Sequence, residues 1–99
     1  MLYKMVRSLL FRLDPETAHA LIMGNIDWAA AVGAPGLVGA GWVDDPVEVM
    51  GLSFPNAVGL AAGMDKTGEH VTALGSLGFG HIEAGTVTPR PQPGNARPR

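Results

Sequence analysis

The sequence predicts an α/β protein in which a helical hairpin precedes a parallel strand–helix–strand unit. Three observations predict it. Leu2, Val6, Leu9, Leu10 and Leu13 recur at helical spacing, and Asp14-Pro15-Glu16 opens a second helix directly after them. A short apolar run, 57–61, and a second segment, 81–87, between Gly80 and Pro89, read as strands. Between them, residues 68–77 switch to a helical period, and strand, helix and strand within about 30 residues is the pattern of a parallel pair with its crossover.

The first helix carries one apolar stripe, with Lys4, Arg7 and Arg12 largely off it. It lacks the uninterrupted apolar stretch and small-residue cleavage site of a signal peptide. In the second helix Asp14 suits the cap, Pro15 the first helical position and Glu16 the positive end of the dipole. The pattern runs to about Ala31, with Ala18, Leu21, Ile22, Ile26 and Ala29 on one face, and Gly33 and Pro35 stop it. A tight corner between two such helices makes a hairpin. Its apolar face admits two readings: packing on the rest of the protein, or lying on a membrane surface. Residues 28–43 are uncharged, but Gly33, Pro35, Gly36, Gly39 and Gly41 break the run, which is too short to cross a bilayer. It reads as a helix end and a loose connection, with Trp42 a packed aromatic.

Asp44-Asp45-Pro46 marks a boundary between an arm, residues 1–43, and a second region, residues 44–99. Alternation around Gly51 predicts a β-hairpin over 47–54. Residues 57–61 are small and apolar, as in a strand buried on both faces. A turn follows, then a helix over 68–77 with Val71, Leu74 and Leu77 inward, Asp65 or Thr67 as cap, and Gly78 and Gly80 at its end. The second strand, 81–87, stops at Pro89. Glu83 lies inside it, and a carboxylate buried there needs a partner.

Composition excludes several functions. The net charge is −2, and the basic residues are few and split between the chain's ends, which is no nucleic-acid footprint. The chain has no cysteine, so disulfides and thiolate metal sites are excluded, and His19, His70 and His81 show no metal-ligand spacing. One strand–helix–strand unit cannot bury both faces of its own sheet. The 99 residues are therefore expected to be a piece of a longer protein, inactive alone.

A right-handed crossover places the C-terminal ends of both strands on one rim. Lys66 follows the first strand and Thr86 ends the second. Glycines and alanines on such a rim let a flat ligand approach the backbone, and a lysine beside it supplies positive charge.

The run Gly59-Leu-Ala-Ala-Gly-Met-Asp-Lys66, then Leu77-Gly-Phe-Gly80, then Gly85-Thr-Val-Thr-Pro-Arg-Pro-Gln-Pro-Gly-Asn95 resembles the start of a quinone-dependent (class 2) dihydroorotate dehydrogenase, and the likeness spans the chain. The resemblance implies an N-terminal arm followed by the first βαβ unit of a truncated (β/α)8 TIM barrel that binds FMN, with hairpin 47–54 plugging its N-terminal end. It implies oxidation of dihydroorotate to orotate in pyrimidine biosynthesis, with electrons passed to a membrane quinone. By resemblance, Ala62, Gly63, Met64, Asp65, Lys66 and Thr86 contact FMN, Lys66 also contacts the substrate, and His19 lies near the quinone tunnel. The arm, residues 1–43, then rests peripherally on the cytoplasmic face of the cell membrane. The proton-abstracting serine, the pyrimidine-binding asparagines and the FMN phosphate site fall beyond Arg99. Met64 and Thr67 stand where relatives often have Leu or Phe and Asp. The rival readings are another flavin- or phosphate-binding barrel enzyme, and a non-catalytic membrane-surface module.

Overall fold

The computed structural model describes residues 1–37 and 42–97. Its elements are α1 (Leu2–Leu10), α2 (Pro15–Ala31), α3 (Ala34–Leu37), β1 (Val47–Val49), β2 (Leu52–Phe54), β3 (Gly59–Leu60), α4 (Val71–Gly75) and β4 (His81–Ile82). Gly39 and Gly41 of the expected connection, and Arg99, lie outside the described residues.

Helix α1 ends at Leu10, before the apolar stripe does, because the chain tightens into a turn. The Arg12 N–H donates to the Leu9 carbonyl at 3.1 Å and the Leu13 N–H to that of Leu10 at 3.0 Å. Asp14 then caps α2, its Oδ1 accepting from the Thr17 N–H at 3.0 Å, with Pro15 in the first turn. Hydrogen bonds from the Thr17 side chain and backbone hold the Asp14 carboxyl below its ordinary range. At the far end Gly33 takes the left-handed conformation, φ 75°.

The expected helix faces are corrected in part. Of the expected α2 face Ala18, Ile26 and Ala29 are half-buried, but Leu21 and Ile22 are exposed, and the buried residue of the helix is Met23. The apolar and polar residues of α2 are spread around the helix, so its periodicity singles out no face, and packing against α4 and α3 chooses one. Helix α1 buries no residue. The tight corner of the expected hairpin is present, and of the stripe Leu10 is half-buried while Leu2, Val6, Leu9 and Leu13 are exposed.

Strands β1 and β2 pair antiparallel, Val47 opposite Phe54 and Val49 opposite Leu52. Met50 and Gly51 join them with positive φ at both positions, 53° and 75°, the geometry that matches strand twist. Glycine adopts it freely; Met50 does so at a cost of roughly 1–2 kcal/mol.

Strands β3 and β4 pair in parallel, Gly59 with His81 and Leu60 with Ile82, and α4 lies between them in the chain. The regular ladder is shorter than the expected strands 57–61 and 81–87. The flanking bonds, Gly80 N–H to Val58 O at 2.8 Å and Glu83 N–H to Leu60 O at 2.9 Å, extend the contact by one step each way. Beyond these bonds the regular ladder ends, because the chain after β3 turns into a loop. Gly59 and Leu60 are half-buried and Val58 is exposed, so β3 is not covered on both faces among the described residues. Glu83 falls past the ladder and is exposed, as is Trp42, which packs no core.

The buried apolar side chains are Met23, Ala73 and Leu74, where α2 meets α4. Burial of each Met or Leu contributes about 1.5–3 kcal/mol. Asn56, also buried, joins three segments: its Nδ2 donates to the Val43 and Gly78 carbonyls at 3.2 and 3.0 Å, and its Oδ1 accepts from the Val58 N–H at 3.0 Å. Gly80 passes so close to the Asn56 carbonyl that any Cβ there would overlap it. The body measures 42 × 41 × 20 Å with a radius of gyration of 15.5 Å. A compact domain of this length has about 13 Å, and the excess reflects broad apolar faces left open.

Candidate active site

The chain leaves β3 at Leu60 and turns through residues 61–70 before α4 begins. Asp65 organises that loop. It is 2% exposed, and its Oδ1 and Oδ2 accept from the backbone N–H groups of Gly68 at 3.0 Å and His70 at 2.9 Å. These bonds occupy the stretch expected to begin the helix, which is why α4 starts at Val71 rather than at 68. Asp65 is therefore a loop staple and not a helix cap; Thr67 does not cap either, its hydroxyl donating to Glu69 Oε2 at 2.9 Å. Desolvation pushes the Asp65 carboxyl up, but the His70 and Gly68 N–H groups and the His70 ring outweigh it, and the net shift is downward.

The same loop is bonded to the segment after β4. The Gly63 N–H donates to the Gly85 carbonyl at 3.1 Å, and the Gly85 N–H donates to the Asp65 carbonyl at 3.0 Å. Thr86 follows immediately, through a cis peptide bond, and is exposed. These bonds bring the Ala62–Lys66 run and Thr86 to one rim, at the C-terminal ends of a parallel pair. Ala62, Gly63, Met64 and Lys66 are exposed there. Gly63 has φ 109°, and a Cβ built on it meets nothing within 4 Å. The space a side chain would fill there is open.

A cleft of about 790 Å³ opens over this loop, with Gly63, Met64, Lys66 and Thr67 on one side. Pro15, Glu16, His19 and Met23 of α2 form another wall, and residues 92–97 contribute to a third. His19 joins two of the walls: its Nε2–H donates to the Met64 carbonyl at 3.0 Å. Two further contacts had no signal in the sequence. His70 Nδ1 lies 2.7 Å from Asp27 Oδ2, and Arg97 Nε lies 3.2 Å from Glu16 Oε2. Asp65 as a loop staple did have a signal, an aspartate three residues before a glycine in a turn-forming run. Among the described residues no group of three or more His, Cys, Asp or Glu could hold a metal ion.

The sequence model of the dihydroorotate dehydrogenase family matches residues 46–99. The chain belongs to the dihydroorotate dehydrogenase family. A protein named dihydroorotate dehydrogenase (quinone) from Cellvibrio japonicus is 57% identical over 98 residues, 99% of this chain and 29% of its own length. A protein of the same name from Ralstonia nicotianae is 56% identical over 98 residues, which is 28% of its length. Among solved structures, a DHODH from Eimeria tenella in complex with ferulenol superposes with a TM-score of 0.65 at 42% identity, over 87% of this chain and 22% of that one. The chain thus spans under a third of the length of these dehydrogenases. The match supports a mixed helix–strand region of an enzyme with the family's fold, and the cleft lies within the matched region and α2.

Proposed function

We propose that this chain forms the N-terminal part of a quinone-dependent dihydroorotate dehydrogenase, and that the Ala62–Lys66 loop and Thr86 are its flavin-facing rim. The observation that carries this reading is the pair of bonds between Gly63, Asp65 and Gly85, which put that loop beside Thr86 with Gly63 exposed. FMN fits such a rim, because a planar ring needs close backbone approach and Gly63 offers it without a side chain. When bound, the flavin supplies the redox chemistry; the chain's residues bind and orient. Lys66 provides positive charge beside the loop for an anionic substrate such as dihydroorotate. The base that removes the substrate proton is not among these 99 residues in this reading.

Helix α2 faces the same cleft and is the wall nearest an electron acceptor. The apolar stripe of α1, exposed from Leu2 to Leu9, suits burial at a membrane surface, where a quinone is available. In this reading residues 1–43 bind peripherally at the cytoplasmic face of the cell membrane.

The test uses the full-length protein. Purified material should be yellow with one flavin per chain, and anaerobic dihydroorotate should bleach it. A short-chain quinone should restore the colour. Absence of bound flavin, or a flavin that dihydroorotate leaves oxidised, would reject the reading.

A further inference from the structure

The two sides of the cleft are held in different ways. The Lys66 loop is fixed by its own neighbours: the Asp65 carboxylate bonds to Gly68 and His70, and Gly85 bonds to both Gly63 and Asp65. Helix α2 reaches that loop from outside through His19 on Met64, the buried Met23, and Asp27 on His70. His19, Met23 and Asp27 are spaced by four, so they follow one another along one side of the helix. His19 and Asp27 are eight residues apart, roughly 12 Å along the axis. One contact alone would leave the helix able to pivot; two at this separation fix its angle to the loop.

We propose that Asp27 and His70 are a positioning pair that seats α2 as the acceptor-side wall of the cleft. This rests on the dehydrogenase reading above. The carboxylate of Asp27 is not part of the cleft lining; it acts through His70, whose own backbone N–H is held by Asp65. Its side chain is 60% exposed and that of His70 20%, so solvent reduces the pair to the range of a surface contact. The expected consequence is modest and one-sided. Loosening α2 disturbs the acceptor's wall, while the Lys66 loop keeps the bonds it receives from Asp65 and Gly85.

In the full-length flavoprotein, Asp27→Ala should raise the KM for a short-chain quinone roughly two- to fivefold. The rate of flavin reduction by dihydroorotate in stopped flow should stay at the parent value. Asp27→Asn, which keeps an oxygen that accepts from His70 Nδ1–H, should lie close to the parent. Hydrogen exchange gives a readout independent of turnover. Amides in the second half of α2 should exchange faster in Asp27→Ala, with residues 63–69 unchanged. Alanine is the better helix former and removes an acid near the negative end of the helix, so intrinsic helicity opposes this result. Unchanged exchange in α2, or equal losses in both half-reactions, would overturn the proposal. If the parent protein neither binds flavin nor oxidises dihydroorotate, the functional reading fails, and the exchange data still decide whether the pair seats the helix.

Discussion

The Nε2 atom of His19 lies 3.0 Å from the carbonyl oxygen of Met64, so a helix and a loop 45 residues apart meet at one hydrogen bond. A carbonyl only accepts, so the His19 ring carries its proton on Nε2. The bond joins the wall assigned to the acceptor with the rim assigned to the flavin. Loss of one such bond is worth about 0.5–1.5 kcal/mol, or up to roughly tenfold in a rate or affinity that depends on it. His19→Ala is expected to slow quinone reoxidation of the bound flavin by up to about that factor. His19→Gln, which keeps a donor, should recover part of it. Stopped-flow mixing of the dihydroorotate-reduced protein with quinone measures this, and an unaltered rate in His19→Ala would detach His19 from the acceptor's path.

Asp65 makes the loop sensitive to acid. Its carboxyl lies below the ordinary value of 3.8 in the folded chain, so the stabilisation it gives is complete above the ordinary carboxylate range and vanishes as pH falls through the lowered value. Asn at this position does not titrate and offers one accepting oxygen where the two N–H groups of Gly68 and His70 need two. The stability difference between the parent and Asp65→Asn should therefore be largest above about pH 5 and shrink steadily toward about pH 2. Urea denaturation of both proteins at several pH values measures it. A difference that stays constant with pH would mean the charge on Asp65 holds nothing.

These two residues show what the sequence could and could not convey. Local signals transferred well: Asp14-Pro15 opened α2, the run to Ala31 closed it, and Gly51 sat in the turn of the hairpin. Each depends on neighbours within a few residues. The regular strands are shorter than the segments that predict them, because a sequence states what can pair while the length of a ladder depends on the partner, and among the described residues β3 and β4 pair only with each other. On α2 the expected Ala18, Ile26 and Ala29 are half-buried, while Leu21 and Ile22 are exposed: they are as apolar as Met23, and only the position of α4 distinguishes them. The likeness to the family pointed to His19 and to the Ala62–Lys66 run. Asp27 and His70, 43 residues apart, fit no spacing rule and emerge only when α2 is placed.

The arm gives a prediction about membranes. Leu2, Val6 and Leu9 lie at helical spacing on α1 and are 58%, 45% and 66% exposed. No helix among the described residues is long and apolar enough to cross a bilayer, so α1 would have to lie along the surface. Burying one such side chain contributes about 1.5–3 kcal/mol at most, and less at an interface where burial is partial. Replacing Leu2, Val6 and Leu9 together by Glu should abolish flotation of the full-length protein with anionic liposomes. Raising the salt should weaken the parent's binding only slightly, because the arm's basic residues are few. Flotation of the triple variant at the parent level would assign the anchor elsewhere.

Lys66 carries the strongest expectation. It is exposed on the rim beside the stapled Asp65, and its position is set by the backbone on both sides: Asp65 by Gly85, Gly68 by the Asp65 carboxylate. The side chain thus starts from a fixed point on the cleft's edge, and its flexible stem lets the ammonium meet a carboxylate or an electron-rich ring there. How much it contributes depends on how far ligands exclude water. A unit charge 4 Å from another is worth about 1 kcal/mol in water and about 4 kcal/mol at the dielectric typical of a protein surface. Removing a preorganised group aimed at developing charge typically costs about 2.7–4 kcal/mol, or 100- to 1,000-fold. The open rim argues for the lower part of these ranges. Lys66→Ala should slow flavin reduction by dihydroorotate by roughly 10- to 100-fold and weaken substrate binding. Reoxidation by quinone should change less if, as proposed, α2 and not Lys66 faces that step. Lys66→Arg should recover little, because a planar fork does not fit where a compact charge sits. Rapid mixing resolves the two half-reactions. If Lys66→Ala is reduced at the parent rate with the parent's affinity for dihydroorotate, the lysine only decorates the rim, and the substrate's charge must be met by residues outside this chain segment.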